Sequence, residues 1–445
     1  MEGNVYRTPA GCETKATTTA ELKYNKKILV DGSMKSVFPQ TIRPQNGIHQ
    51  DVHLYDFHVH PIRASLANFA QATLHVQGRL VKEDGSRLTA SEHNQVAPIC
   101  LFHHTMFKAG EVRVNQHLLN LAASYNIGYK AQLRAMLSLD QHHHGYLTAA
   151  MYYKDSDGLA EEMSFRNLGF LMRSYLSAGD SFSVTGPVPL DFFDMDSLLA
   201  PGNTVSIRLM RNSDAFAVNT ATPDLRVKFV LEDLYMVVPR IELYAEALPN
   251  YFNPKSPQHY EFSTGHLLNF SLPLHLTQKT LRLVNADILP KQVVVAMVPT
   301  KAYIGDYGSN PFALKHFDLN RINLVVNSTR VPSNPYTPDF NPLHTLATRE
   351  YASLDKNTGK FKTNLAHSLS YFGFCSDTFI MVFDMTPDQC NSLHRHAGKE
   401  GVLELELGWG TGLTEPVTVL TLLKYDQVLT VDPLLEGGSV HEQLY

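Results

Sequence analysis

At 445 residues the chain exceeds one ordinary domain and suits two of about 200 residues each. With 44% hydrophobic and 18% charged residues it carries ample material for large cores, and a net charge of −5 with a pI near 6.5 argues against a dedicated nucleic-acid binder. Cys12, Cys100, Cys375 and Cys390 lack CxxC spacing, which excludes a cysteine zinc site and fits a reduced intracellular protein.

The chain opens on a polar, Thr- and Lys-rich stretch with no apolar signal-peptide core and no run long enough to span a membrane. Residues 1–45 read as an N-terminal arm. They hold seven basic residues (Arg7, Lys15, Lys23, Lys26, Lys27, Lys35, Arg43) against four acidic ones (Glu2, Glu13, Glu21, Asp31), and their first apolar cluster is Ile28, Leu29 and Val30. The sequons at Asn269 and Asn327 are expected to be unused, since no secretory signal accompanies them.

From residue 46 onward the pattern has period two. "ATLHVQGRLV" (72–81), "EVRVNQHLL" (111–119), "TVSIRLM" (204–210), "VKFVLEDLYMVV" (227–238), "QVVVAMV" (292–298), "RINLVV" (321–326) and "VLELELGW" (402–409) all read as strands. In the last of these Leu403, Leu405 and Leu407 face inward and Glu404 and Glu406 outward. Pro- and Gly-bearing stretches such as "SNPYTPDFNP" (333–342) read as loops. Helical periodicity is confined to 116–137 and a short stretch near 388–397. The expected class is all-β with long loops, as in sandwiches and jelly rolls.

One motif points elsewhere. "YDFHVHP" (55–61) holds Asp56-Phe57-His58-Val59-His60, and on a strand His58 and His60 share a face and could hold a zinc ion. A metal-dependent barrel hydrolase would need strands alternating with helices about eight times, and nothing here alternates so. His103-His104 and His142-His143-His144 do not end such a series. Nor does the chain contain GxSxG, a P-loop, GxGxxG after a strand, or HExxH. The expectation is therefore no catalytic, cofactor-binding or metal residue, and no enzyme. A carbohydrate- or protein-binding β-sandwich remains an alternative class.

An internal repeat is more informative. Phe193-Asp194-Met195 recurs 190 positions later as Phe383-Asp384-Met385, and "VKFVLEDLY" (227–235) recurs at the same offset as "VTVLTLLKY" (417–425), matching Val227 to Val417 and Tyr235 to Tyr425. Two β domains in tandem follow: 46–238 and 259–445, joined by a linker at 239–258.

The segments "VAPICLFHHTMFKAGEVRVNQHLL" (96–119), "LTAAMYYKD" (147–155), "VSIRLMRNSDAF" (205–216), "NPFALKHFDLNRINLVVNSTRVP" (310–332) and "FDMTPD" (383–388) run in an order that resembles the double jelly-roll major capsid proteins of Polinton/Maverick elements and adintovirus-like viruses. "YDFHVHPIRAS" departs from that pattern. The resemblance implies two tandem eight-stranded jelly-roll sandwiches. It implies homotrimeric, pseudo-hexagonal capsomers of an icosahedral shell, made in the host cytoplasm or nucleus and ending in the virion. Implied partners are neighbouring capsomers and penton or minor capsid proteins. The arm could clamp a neighbour or touch packaged DNA weakly. A minor capsid or penton jelly-roll protein, or a hydrolase using His58 and His60, are the alternative functions.

Overall fold

The computed structural model describes the chain apart from residues 1–4, 8–12, 16–32, 49–51, 63, 120–123, 139–146, 223, 245, 247–252, 254–255, 342–345, 360–366, 388–395, 433–438 and 445. Sixteen strands carry its architecture. The first lobe holds β1 (Met34–Ile42), β2 (Leu54–Val59), β3 (Thr73–Lys82), β4 (Phe107–Val114), β5 (Ser124–Tyr125), β6 (Phe182–Pro187), β7 (Val205–Arg211) and β8 (Val227–Leu243). The second holds β9 (Gln258–Leu272), β10 (Gln278–Ile288), β11 (Gln292–Pro299), β12 (Leu319–Val326), β13 (Thr329–Tyr336), β14 (Ile380–Asp384), β15 (Glu400–Trp409) and β16 (Val417–Asp432).

In the first lobe the sheets run β1-β8-β3-β6 and β2-β7-β4-β5; in the second they run β9-β16-β11-β14 and β10-β15-β12-β13. Adding eight to every label of the first pair gives the second. Each lobe is thus an antiparallel jelly roll, two sheets of four main strands packed face to face, and three of the four sheets gain one further short strand. The chain is a double jelly roll.

Strand chemistry explains the pairing. On β7, Val205, Ile207 and Leu209 are buried and lie opposite Val114, Val112 and Gly110 of β4. On β15, Leu403, Leu405 and Leu407 are buried. Glu404 meets Arg282 at 3.0 Å, and Glu406 lies 3.6 and 3.5 Å from Arg321 and Arg330. These outer-face charges hold cross-strand neighbours while the leucines fill the sandwich. Strand β11 is buried on both faces from Gln292 to Pro299. It shares one core cluster with Leu133 and Met136 of helix α1 (Ile127–Ser138) and Leu354 of helix α3 (Thr348–Asn357). Burial on both faces makes "QVVVAMV" a continuous apolar run without alternation.

Several expectations shift. Residues 34–42, read as arm, form β1, the edge strand that pairs Met236–Leu243 of β8. Within 239–258, β8 runs on to Leu243 and Gln258 opens β9. In β13 the prolines at 332 and 335 sit on an edge strand, where a missing N–H disturbs only one ladder. Of the stretch 116–137, only Ile127 onward is helical, and residues 117–118 and 124–125 are short strands. Most of the segment near 388–397 lies outside the described residues, as do His142, His143, His144 and Ile28 to Val30.

The repeat is present in topology but differs in detail. Val227 lies opposite Lys82 and Val417 opposite Pro299, each at the exit of the equivalent strand. A bulge at Glu232 then inserts one residue into β8, so Tyr235 occupies the ladder position of Lys424, one residue before Tyr425. The shared Phe-Asp-Met is not equivalent. Phe193 and Asp194 lie in a 3₁₀ turn beyond β6, whereas Phe383 and Asp384 end β14 itself.

The two alternating faces of β15 make opposite predictions. Leu405→Asp puts an unpaired carboxylate in the sandwich and should cost on the order of 5 kcal/mol or more, seen as loss of folded soluble protein. Glu406→Ala removes a half-exposed ion pair and should change the urea midpoint by under about 1 kcal/mol equivalent.

Candidate assembly surface: the loop cap

Lys82 lies opposite Val227, Phe107 opposite Arg211, and Phe182 opposite Gly78. This register brings three long first-lobe connections, 83–106, 126–181 and 212–226, to one end of the sandwich. There residues 96–98 pair with 218–220 as a small sheet, and helix α2 (Leu168–Ser177) packs on 96–98. The equivalent second-lobe connections, 300–318, 337–379 and 410–416, knit into the same cap.

The cap is organised by one buried cation. Arg173 of α2 has a side chain only 2% exposed. Its Nε donates to the Pro98 carbonyl at 2.8 Å, one terminal nitrogen to the Tyr153 carbonyl, and the other to Asp155 Oδ1 at 2.7 Å. The other carboxylate oxygen of Asp155 accepts from Asn310 Nδ2 at 2.8 Å, and Asn310 also donates to the Ala160 carbonyl. Asn310 belongs to the second lobe, so the ion pair reaches across the chain. Asn167 caps α2, accepting from Phe170 N at 3.4 Å, and its amide donates to Asp155, Leu159 and Glu162. Gly169 is required here: a Cβ would stand 2.5 Å from the Lys154 carbonyl oxygen.

Further bonds tie the lobes together. Asp377 accepts from Gly158 N at 3.0 Å and Ala160 N at 2.7 Å. Asn219 donates to the carbonyls of Tyr307 and Ser309. Beneath the cap, Asp191 pairs with Lys130 of α1 and accepts from Gly265 N of β9 at 2.9 Å. Arg134 pairs with Asp194. A cavity of about 380 Å³ opens beside these groups and is also lined by Lys291 and Asp426, themselves an ion pair. Opposite charges that already satisfy one another leave little for a ligand.

The histidines of the sequence motif lie elsewhere. Tyr55, Phe57 and Val59 of β2 face the core, which turns His58 to the outer face. Its Nδ1 lies 3.0 Å from Ser206 Oγ on β7, and its ring centroid is 6.4 Å from that of His60. The described residues contain no group of three or more His, Cys, Asp or Glu able to hold a metal ion, and no helix among them is long and apolar enough to cross a membrane.

His103 and His104, which no motif singled out, are instead buried under the cap. His103 Nε2 donates to the Leu74 carbonyl at 2.8 Å, and the two rings meet edge to face at 5.0 Å. Burial pushes His103 down to about 4 and His104 well below the ordinary imidazole range. The only sequence signal was their place in an apolar run, "PICLFHHTMF".

No known family model matches the sequence. A Caenorhabditis elegans protein described only as uncharacterized is 22% identical over 299 residues, covering 65% of this chain and 69% of that protein. Among solved structures, a chain of the Sputnik virophage superposes with a TM-score of 0.64 at 11% identity, over 98% of this chain and 94% of its own. The mavirus major capsid protein superposes at 0.55 and 11% identity, over 98% and 97% of the two chains. The Faustovirus major capsid protein superposes at 0.54 and 8% identity, over 93% and 94%. At such identities the likeness is one of fold, extending across nearly the whole of each chain: this protein is a double jelly roll structurally similar to viral major capsid proteins.

Two measurements probe the cap. Arg173→Met leaves Asp155 buried without its cation and two carbonyls without donors, and should destabilise by about 3–5 kcal/mol, read from urea denaturation. For His103, the folded state binds its proton near pH 4 and the unfolded chain near pH 6.5. The stabilisation is therefore complete above about pH 6.5 and is lost progressively as pH falls toward 4. That amounts to about 2 kcal/mol between pH 7 and pH 5. His103→Gln cannot titrate, so its midpoint should fall less over that range than the wild-type midpoint.

Proposed function

We propose that the protein is a major capsid subunit that assembles as a homotrimer into pseudo-hexagonal capsomers of an icosahedral shell. The observation that carries this reading is the duplicated lobe: two sandwiches of identical strand order side by side in one chain. Three such chains around a threefold axis present six similar lobes, and a nearly hexagonal outline tiles a shell with only threefold true symmetry. The likeness to the mavirus and Faustovirus major capsid proteins across nearly the whole chain supports it.

On this reading the chain's work is assembly, the two lobes meet within 239–258, and no residue is catalytic. Partners are neighbouring capsomers and penton or minor capsid proteins, with the Polinton/Maverick and adintovirus-like group as the family and the virion as destination. The N-terminal arm then acts under the capsomer as a clamp or makes weak contact with packaged DNA; seven basic against four acidic residues over 1–45 is too small an excess for strong binding. A single-jelly-roll penton protein fits less well, because it would need only one of the two lobes.

Light scattering on the purified protein should give a particle of about 150 kDa, three times the 49.8 kDa chain, and negative-stain micrographs should show pseudo-hexagonal outlines. A monomer at every concentration tested would reject the capsomer.

A further inference from the structure

Helix α2 is amphipathic the wrong way round. The face it turns inward carries Gly169, Phe170, Arg173, Ser174 and Ser177, all buried. The face it turns outward carries Leu168, Leu171, Tyr175 and Leu176, exposed at 61%, 41%, 75% and 41%, with Met172 half-buried between them. These five positions follow the i, i+3, i+4, i+7, i+8 spacing by which one helix packs on another apolar element. Phe165, two residues before the cap, adds a ring that is 77% exposed. The inward polar groups have partners: Arg173 as described, and Ser174 Oγ through a 2.7 Å bond to the His93 carbonyl. The helix therefore cannot roll over to hide its leucines without breaking a buried ion pair.

We infer that the outer face of α2, Leu168, Leu171, Met172, Tyr175 and Leu176 with Phe165, is the surface by which one copy of this chain grips the next in the trimer. The inference rests on the capsid-subunit reading and names its contact. Two arguments identify the occupant as a second copy. The first is stoichiometry. Every subunit of a shell's major protein carries this face, and a minor component could cover only a small fraction of them. Only the chain itself is as abundant as the surface to be covered. The second is area. The exposed side chains leave on the order of 500 Å² of apolar surface in one patch, at the upper end of what a lone soluble protein shows. Set against an equal area of a neighbour, it buries about 1,000 Å², the threshold of a specific interface.

The test uses the full-length protein with Leu168→Glu and Tyr175→Glu combined, and Ile304→Glu as control. Ile304 is equally bare, at 72% exposed, on a short second-lobe helix. The double variant should keep the wild-type circular dichroism spectrum. It should raise the concentration of half-dissociation at least about a hundredfold by light scattering, while Ile304→Glu remains a trimer. A double variant that stays trimeric beside a trimeric wild type overturns the inference and leaves the capsomer standing; the face is then covered by another protein or another part of the chain. Dissociation of both variants overturns it as well, because the effect is then not specific to α2. A wild type that is itself monomeric rejects the capsomer reading. Should the glutamates disturb folding, Leu168→Ser with Tyr175→Ser decides the same question by the same readout.

Discussion

The cap, and with it the fixed relation of the two lobes, depends on the buried pair Arg173–Asp155. Taking a guanidinium and a carboxylate out of water costs several kcal/mol for each ion, and their attraction repays this only when the remaining donors and acceptors are matched. Here they are. Two backbone carbonyls and one carboxylate oxygen take the guanidinium, and the second carboxylate oxygen takes Asn310. Such a pair contributes little net stability over a well-packed apolar replacement. Its contribution is to geometry: a loop of the second lobe must end where Asn310 can reach Asp155, or a charge is left bare.

Two consequences follow from that geometry. The first is a seam between the lobes that is apolar as well as polar. Tyr260 and Phe262 of β9 and Leu429 and Val431 of β16 pack into the first lobe's core cluster, and the Ala200 N–H donates to the Tyr260 hydroxyl at 3.1 Å. The second consequence is the bare face of α2. Once Arg173 is turned inward, residues two before and two after it point outward by the helical period. Burying the cation and displaying Leu171 and Tyr175 are thus one structural decision.

Much of the sandwich was legible because alternation is a direct record of a strand with one wet face. "TVSIRLM" and "VLELELGW" show it, and their buried residues are the alternate ones. What escaped was every element whose burial is decided by distant chain. Strand β1 reads as a polar arm because it is an edge strand, with Met34 and Val37 exposed. Helix α2 was not recognised because its inward face is polar, so the apolar period marks the surface and not the core. Proline hid β13, and β5 is two residues long, too short to carry a period. The histidine pair in "YDFHVH" was legible as a shared strand face, and the structure shows that face to be the outer one.

The duplication shows how little sequence a jelly roll needs to retain. The two lobes have the same strand order and near-matching registers, yet Phe-Asp-Met occurs in both at places that are not equivalent, and a single bulge at Glu232 breaks the 190-residue offset within one strand. A sandwich asks only for alternation and for a register that keeps the apolar side inward, and many sequences satisfy both. The loops are under no such common rule. The first lobe spends its longest connection on α1 and on α2 with its buried arginine, while the second spends its own on α3 and the Asp377 turn. Similar sandwiches give the two lobes a common outline, and dissimilar connections give them different surfaces.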